Sequence, residues 1–147
     1  MKEGRPRTTA EVSRRMAAVK RRDTVPELEL RRALGERGVR FRLHDPKLPG
    51  TPDIVLMDRR VAVFVHGCFW HRHPGCSRAT LPKSNVAFWS DKFRQNVKRD
   101  ARKVRILRSR DWSVCIVWQC SIKANPGREA SRIARIGATL RSGTRGN

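Results

Sequence analysis

The stretch Asp53-Ile54-Val55-Leu56-Met57-Asp58-Arg59-Arg60-Val61-Ala62-Val63-Phe64-Val65 decides the fold. Two apolar runs of strand length are separated by Asp58-Arg59-Arg60, a connection short enough only for a tight turn. The second run, Val61 to Val65, carries no polar side chain, and that pattern suits a strand covered on both faces. It is read as the central strand of a sheet, with Asp53 to Met57 beside it.

Upstream, Val39 to Leu43 reads as a further strand, joined to Asp53 by a turn-rich span from His44 to Pro52. Before it, Thr24-Val25-Pro26-Glu27 has the form of a capping box, with proline in the first turn where its missing N–H costs nothing. The helix it opens ends near Gly35 or Gly38 and turns Leu30, Ala33 and Leu34 inward. Downstream, Val86 to about Ser109 reads as one long helix, with Phe93, Val97, Ala101, Val104 and Leu107 on its inner face and a cationic outer face. Trp112 to Trp118 is another buried strand, and Ile133, Ile136 and Leu140 mark a last helix. The order of elements predicts an α/β fold with helices around a mixed sheet of about four strands. Residues 1–22 read as a basic arm or helix capped by Thr8 or Thr9 and carrying Val12, Met16 and Val19 at helical spacing. Residues 23–141 read as one domain, and 142–147 as a flexible Gly/Arg-rich tail.

The chain has 147 residues, with 34 Lys and Arg against 13 Asp and Glu, a formal charge of +21. Charge of that size repels itself unless a polyanion is present, so nucleic acid is the favoured partner. The longest clean apolar run is Val61 to Val65, far short of the roughly 20 residues of a membrane span. The opening MKEGRPRTTA lacks the apolar stretch of a secretory signal. The expected compartment is therefore a reducing cytoplasm, where cysteines remain thiols. There are four tryptophans and no tyrosine, and aromatics set among basic residues hint at base stacking.

Of four histidines and four cysteines, His66, Cys68, His71, His73 and Cys76 fall within one short stretch. Cys68, His73 and Cys76 supply one side of a tetrahedral zinc site, and Cys120 closes it if the Trp112–Trp118 strand lies beside the central one. Burial as plain core thiols is the alternative, and it is the better reading for Cys115, in mid-strand between Val114 and Ile116. Asp53 stands at the mouth of the sheet, where it either caps the preceding turn or holds a hard cation such as magnesium. Beside a histidine in so basic a chain, that cation would mean phosphodiester cleavage, with His71 and His66 as the available bases. Glu27 is explained by its capping box without any catalytic role, and Asp100 by a surface ion pair among Arg99, Arg102 and Lys103. Trp112 and Trp118 read as core or boundary residues, and His44 beside Asp45 as a solvated turn.

Four separated segments carry a resemblance: Leu48-Pro49-Gly50-Thr51-Pro52-Asp53, Phe64-Val65-His66-Gly67-Cys68-Phe69-Trp70-His71, Asn96-Val97-Lys98-Arg99-Asp100 and Ile116-Val117-Trp118-Gln119-Cys120. In order and spacing, across residues 9 to 123, the chain resembles the very short patch repair DNA mismatch endonucleases of bacteria. The resemblance implies a restriction-endonuclease-like fold of the PD-(D/E)xK superfamily. It implies a magnesium-dependent nick 5′ to the thymine of a thymine–guanine mismatch, the lesion left by deamination of 5-methylcytosine. By that resemblance Asp53 matches the metal-binding aspartate, Val65 a backbone-carbonyl ligand, and His71 the general base. Glu27, His66 and Asp100 match supporting positions, and Cys68, His73, Cys76 and Cys120 the ligands of a structural zinc. Phe69, Trp70 and Trp89 match an aromatic wedge entering the duplex from the major groove, Met16 an apolar side chain entering from the minor groove, and Lys92 and Asn96 positions near the mispaired bases.

The implied partners are double-stranded DNA with a thymine–guanine mismatch, mismatch-repair proteins and a DNA repair polymerase, with no membrane. The implied state is a monomer in the bacterial cytoplasm, on the nucleoid. Two features depart from the pattern. The wider superfamily places a carboxylate and a lysine on the strand after the metal aspartate, and Val61 to Val65 offers neither, so histidine chemistry must substitute. The family commonly has threonine where this chain has Val65, and Pro74-Gly75 lengthens the zinc loop relative to some members. The alternatives are a non-catalytic zinc-stapled module that binds nucleic acid, and a related nuclease with another DNA substrate.

Overall fold

The computed structural model describes residues 23–145, with side chains as far as residue 136. The basic segment 1–22, Met16 included, lies outside the described residues. Helix α1 (Val25–Glu36) begins as its sequence dictates: Thr24 is extended, its hydroxyl accepts the Glu27 N–H at 3.4 Å, and Pro26 occupies the first turn. Gly38, at φ +69°, ends it. Val39 then donates its N–H back to the Leu34 carbonyl and packs into the core. That bond removes Val39 from any ladder, so strand β1 spans only Arg42–Leu43 and is shorter than the expected 39–43.

Strand β2 (Ile54–Leu56) is wholly buried, and a 3-10 turn (Met57–Arg59), closed by Arg60 at φ +54°, reverses the chain into β3 (Val61–His66). After the histidine-rich loop come helix α2 (Val86–Ser109), strand β4 (Ser113–Trp118), the short helix α3 (Gln119–Ala124) and helix α4 (Pro126–Arg145). The sheet order is β1-β2-β3-β4, antiparallel at the first two pairings and parallel between β3 and β4, a four-stranded mixed sheet flanked by helices. Leu30, Leu34, Ile122 and Ile133 pack against Ile54, Val61 and Val63 on one face. Leu107 and Trp112 pack against Val55, Ala62 and Phe64 on the other. Coverage on both sides is why β3 carries no polar residue before His66.

Helix α2 departs from expectation in which face it buries. Phe93 and Leu107 are buried, but Val97 is 46% exposed and Ala101 is exposed as well. The inward row runs Phe93, Asn96, Asp100, Val104, Leu107, because only the C-terminal part of the helix lies over the sheet while its N-terminal part lies over the loop that leaves β3. Helix α4 continues to Arg145, four residues into the span 142–147 read as a tail. Among the described residues no helix is long and apolar enough to cross a membrane.

Candidate active site and metal centre

Parallel pairing of β3 and β4 sets His66 beside Trp118, so both strands deliver their chains to the same edge of the sheet. The loop after His66 is built from successive tight turns: His71 N–H to the Gly67 carbonyl, His73 to Cys68, Cys76 to His73 and Ala79 to Cys76. These turns bring Cys68, His73 and Cys76 to Cys120 at the start of α3, with all four donor atoms within 4.8 Å of one another. Cys120 Sγ lies 3.4 Å from His73 Nδ1 and 4.0 Å from Cys76 Sγ. Three sulfurs and one imidazole nitrogen at such separations make a soft, four-donor set of the kind zinc takes. Burial pushes the Cys68 thiol up to about 11, a cost that a bound dication would reverse. The group is thus able to hold a metal. Cys115 stands apart, packed in the core as expected.

A second cluster joins His66, His71 and Asp100. The two imidazoles lie nearly flat on each other, centroids 3.9 Å apart and planes within 8°. His71 Nδ1 is 2.6 Å from Asp100 Oδ2. Burial opposes the charge on Asp100, yet the hydrogen bond to His71 and the fields of His71, His66 and Lys103 hold its carboxyl below the ordinary carboxylate range. Burial, with His71 adding to it, pushes His66 down to about 3, so this ring is neutral at physiological pH. Trp118 meets His66 edge-on at 5.2 Å and stacks on His73 at 4.2 Å and 12°, so one indole braces both clusters.

Asp53 lies at the mouth of the same sheet. Its Oδ2 accepts the Val65 N–H at 2.7 Å, tying the β2 entrance to the end of β3. Burial raises its carboxyl to about 6 against the Val65 hydrogen bond, with Glu27 adding to the rise and His44 and His71 opposing it. A half-buried carboxylate with a raised pKa beside a backbone strand end is a hard oxygen site that a divalent cation would relieve. The turn before Asp53 fits closely under α2. Gly50 has φ +77°, and a Cβ there would come within 2.6 Å of the Lys103 side chain, so the approach requires glycine.

Three polar residues are placed differently from their expected settings. Glu27 is only 2% exposed, and its carboxylate is bonded to Arg31 and lies 3.1 Å from His44 Nε2. The capping role of its backbone holds, but the side chain turns inward to the site. His44 is not a solvated turn: its side chain is 12% exposed, lying between Glu27 and Asp53, with Nδ1 3.9 Å from Asp53 Oδ1. The reason is its backbone, since φ +47° and an N–H donated to the Asp53 carbonyl fold the ring back over the sheet mouth. Asp100, likewise, is no surface ion pair; it faces the loop and bonds His71.

Phe69, Trp70, Trp89 and Phe93 form one aromatic group, with Phe69 edge-on to each of the others at 5.0 to 5.7 Å. Phe69, Trp70 and Trp89 are half-buried. Their shielding comes from one another, so they are braced rather than free-standing. Asn96 donates its side-chain N–H to the Trp70 carbonyl at 3.1 Å, and half-buried Lys92 lies one residue before Phe93 on α2. The sites missed in the sequence were His44, Arg31 and Trp118. The one available signal was Trp118 itself, placed two residues before a cysteine already read as a ligand.

Fold and site together define an α/β protein whose sheet edge presents a carboxylate, a stacked histidine pair with one ring bonded to a second carboxylate, and a four-donor group able to hold a metal. A family model described as DNA mismatch endonuclease Vsr matches residues 7–78. The type II nicking enzyme V.XorIIP of Xanthomonas oryzae is 50% identical over 107 residues, 73% of this chain and 78% of the relative. The DNA mismatch endonuclease Vsr of Escherichia coli is 41% identical over 117 residues, covering 80% of this chain and 72% of the relative. The type II nicking enzyme V.NmeAIP of Neisseria meningitidis is 38% identical over 116 residues, 79% of this chain and 82% of the relative. The chain belongs to the Vsr DNA mismatch endonuclease family.

Proposed function

We propose that this chain is a magnesium-dependent DNA endonuclease that nicks one strand 5′ to the thymine of a thymine–guanine mismatch left by deamination of 5-methylcytosine. The observation that carries the reading is the contact of His71 with Asp100 at the sheet edge where Asp53 is held. Family membership supplies the reaction class, and the mixed sheet is consistent with a restriction-endonuclease-like core of the PD-(D/E)xK superfamily within residues 23–141. Neither a carboxylate nor a lysine stands on β3 before His66, so imidazole takes the proton-transfer role.

Asp53 and the backbone carbonyl of Val65 are the residues that would hold magnesium, which when bound neutralises charge on the scissile phosphate. Asp100 is ionised and accepts from Nδ1–H of His71, leaving Nε2 to take a proton from the attacking water. His66, neutral and stacked on His71, keeps that ring in plane. Glu27 completes the acidic side of the site, framed by Arg31 and His44. Cys68, His73, Cys76 and Cys120 would hold a structural zinc, which fixes the loop carrying His71, Phe69 and Trp70.

Phe69, Trp70 and Trp89 enter the duplex beside the mismatch from the major groove, Met16 enters from the minor groove, and Lys92 and Asn96 lie near the mispaired bases. Unstacking costs a few kcal/mol and least at a mismatched step, so selectivity comes partly from which step opens cheaply. The remaining Lys and Arg neutralise phosphates and set affinity without reading sequence. An asymmetric lesion in one strand calls for a monomer. The reading places the protein in the bacterial cytoplasm, on nucleoid DNA, working with mismatch-repair proteins and a repair polymerase.

The deciding experiment is strand-specific nicking of a labelled duplex holding one thymine–guanine mismatch in a methylation-site context, against its paired control, with magnesium or EDTA. A magnesium-dependent nick beside the thymine is the expected result. Binding without a nick across several mismatches and metals would favour a zinc-stapled binding module. The relatives named type II nicking enzymes favour a second reading, a nuclease of the same chemistry with a different DNA target. Cleavage of a mismatch only in another sequence context would select it.

A further inference from the structure

We propose that Arg72 is a positioning residue for the aromatic group of Phe69, Trp70 and Trp89, and that discrimination of mismatched from paired DNA depends on its guanidinium. The inference rests on the reading of that group as the element that enters the duplex. Arg72 sits between His71 and His73, at the point where the loop turns from the histidine pair to the four-donor cluster. One terminal nitrogen donates to the Phe69 carbonyl at 3.2 Å and to the Thr80 carbonyl at 3.0 Å, and the other to the Ala79 carbonyl at 2.9 Å. Its plane also lies over the Phe93 ring, 4.0 Å from the centroid, and 5.7 Å from that of Phe69.

One cation therefore closes three backbone carbonyls and two aromatic faces. It ties the start of the aromatic group, at Phe69, to residues 79–80, on the far side of the Cys3His loop, and to helix α2 through Phe93. The backbone of Arg72 is left-handed, φ +55°, a conformation unfavourable for a side chain with a Cβ and kept only where the surroundings fix it. Lysine cannot replace this contact. A planar fork can donate in several fixed directions while stacking on a ring, whereas an ammonium is a single point charge.

The functional consequence follows from preorganisation. A group that must part a base step gains most from the cheaper, mismatched step when it arrives already rigid; a loose group loses part of that difference in ordering itself. Arg72 touches backbone and rings rather than the candidate base or the carboxylates, so its loss should leave proton transfer in place and blunt selectivity.

The test uses the full chain with Arg72→Lys, Arg72→Ala and Trp70→Ala. Three readouts apply: affinities for mismatched and paired duplexes, fluorescence of 2-aminopurine placed beside the mismatch to report unstacking, and single-turnover nicking at saturating DNA. Both Arg72 variants should lower the mismatch-over-paired affinity ratio by about tenfold and reduce the unstacking signal, while single-turnover nicking stays within about threefold of the parent. Melting temperature identifies a variant that fails to fold, and Arg72→Lys is the milder change on which the outcome then rests. Equal loss of affinity for both duplexes would overturn the proposal, because a merely structural arginine moves both together. If Trp70→Ala loses discrimination and the Arg72 variants keep it, the proposal fails while the wedge reading stands. If Trp70→Ala keeps full discrimination, the wedge reading itself fails, and the proposal with it.

Discussion

Asp100 Oδ2 lies 2.6 Å from His71 Nδ1, across the gap between helix α2 and the loop that leaves β3. A carboxylate held ionised at that distance fixes the tautomer, with the proton on Nδ1 and the lone pair on Nε2. The pair spans two elements distant in sequence, so the imidazole is oriented only when α2 is docked.

On the proposed reading, in which the imidazole moves a proton, His71→Ala is expected to abolish nicking while leaving mismatch binding largely intact. Asp100→Asn should lower single-turnover nicking by roughly 10²–10⁴-fold, since an amide can favour the wrong tautomer without disturbing shape. Nicking at saturating DNA, paired with gel-shift affinities, separates the two effects. Loss of binding equal to the loss of rate in either variant would contradict this division.

The raised carboxyl of Asp53 implies a cost that the fold bears for its site. A carboxyl near 6 in the folded chain, against 3.8 in an unfolded one, binds its proton more readily when folded. The penalty is absent below about pH 4, grows as pH rises through that interval, and is full above it; at full size it corresponds to about 3 kcal/mol before solvent screening is allowed for. Asp53→Asn keeps an acceptor for the Val65 N–H and removes the half-buried charge. In EDTA it should melt higher than the parent at pH 8 and equal to it near pH 4, and in magnesium it should lose the nicking that the parent retains. A melting temperature below the parent's at pH 8 would show that the charge is stabilising rather than costly.

The parts of the fold legible in the sequence were those that a single local pattern dictates. Val61 to Val65, Val86 to Ser109 and the Thr24–Glu27 cap all announce themselves through apolar period or capping chemistry, and Cys68, His73 and Cys76 through their crowding, whereas Cys120 depended on the pairing of the strand before it with the central one. Three features were hidden. The inward face of α2 was misread because Asn96 and Asp100 replace apolar residues where the helix leaves the sheet, and the exposed Val97 and Ala101 completed a false stripe. His44 was misread because its left-handed backbone, which folds the ring inward, leaves no mark in residue type. The inward turn of Glu27 depends on Arg31 and His44, partners that only the tertiary structure brings together.

His44 should matter to rate more than to affinity. Its Nε2 is 3.1 Å from the buried Glu27 carboxylate and its Nδ1 faces Asp53, so His44→Ala leaves Glu27 with Arg31 as the remaining holder and opens space at the sheet mouth. The expected result is about a tenfold fall in single-turnover nicking with duplex affinity unchanged, since one hydrogen bond to a charged group is worth about 1.5–3 kcal/mol. His44→Gln, which can still donate to Glu27, should retain more activity than His44→Ala. Indistinguishable rates for the two would remove orientation of Glu27 as the explanation.

On the proposed reading a zinc held by Cys68, His73, Cys76 and Cys120 ties the loop to the sheet, and its removal should separate them. Cys68 packs among the ligand set, but the main core of Leu30, Leu34, Ile54, Val61, Val63, Ile122 and Ile133 closes without the other three donors, so the strands and helices should survive the loss. The loop should not: its tight turns place His71 and Trp70 only while Cys76 and His73 are anchored to Cys120, and Trp118 loses the imidazole stacked on it. A strong chelator, or Cys120→Ser, should therefore abolish nicking and change tryptophan fluorescence while far-ultraviolet circular dichroism stays close to that of the parent. Complete loss of the dichroism signal would instead make the metal a condition of the whole fold, as in small domains that cannot close a core of their own.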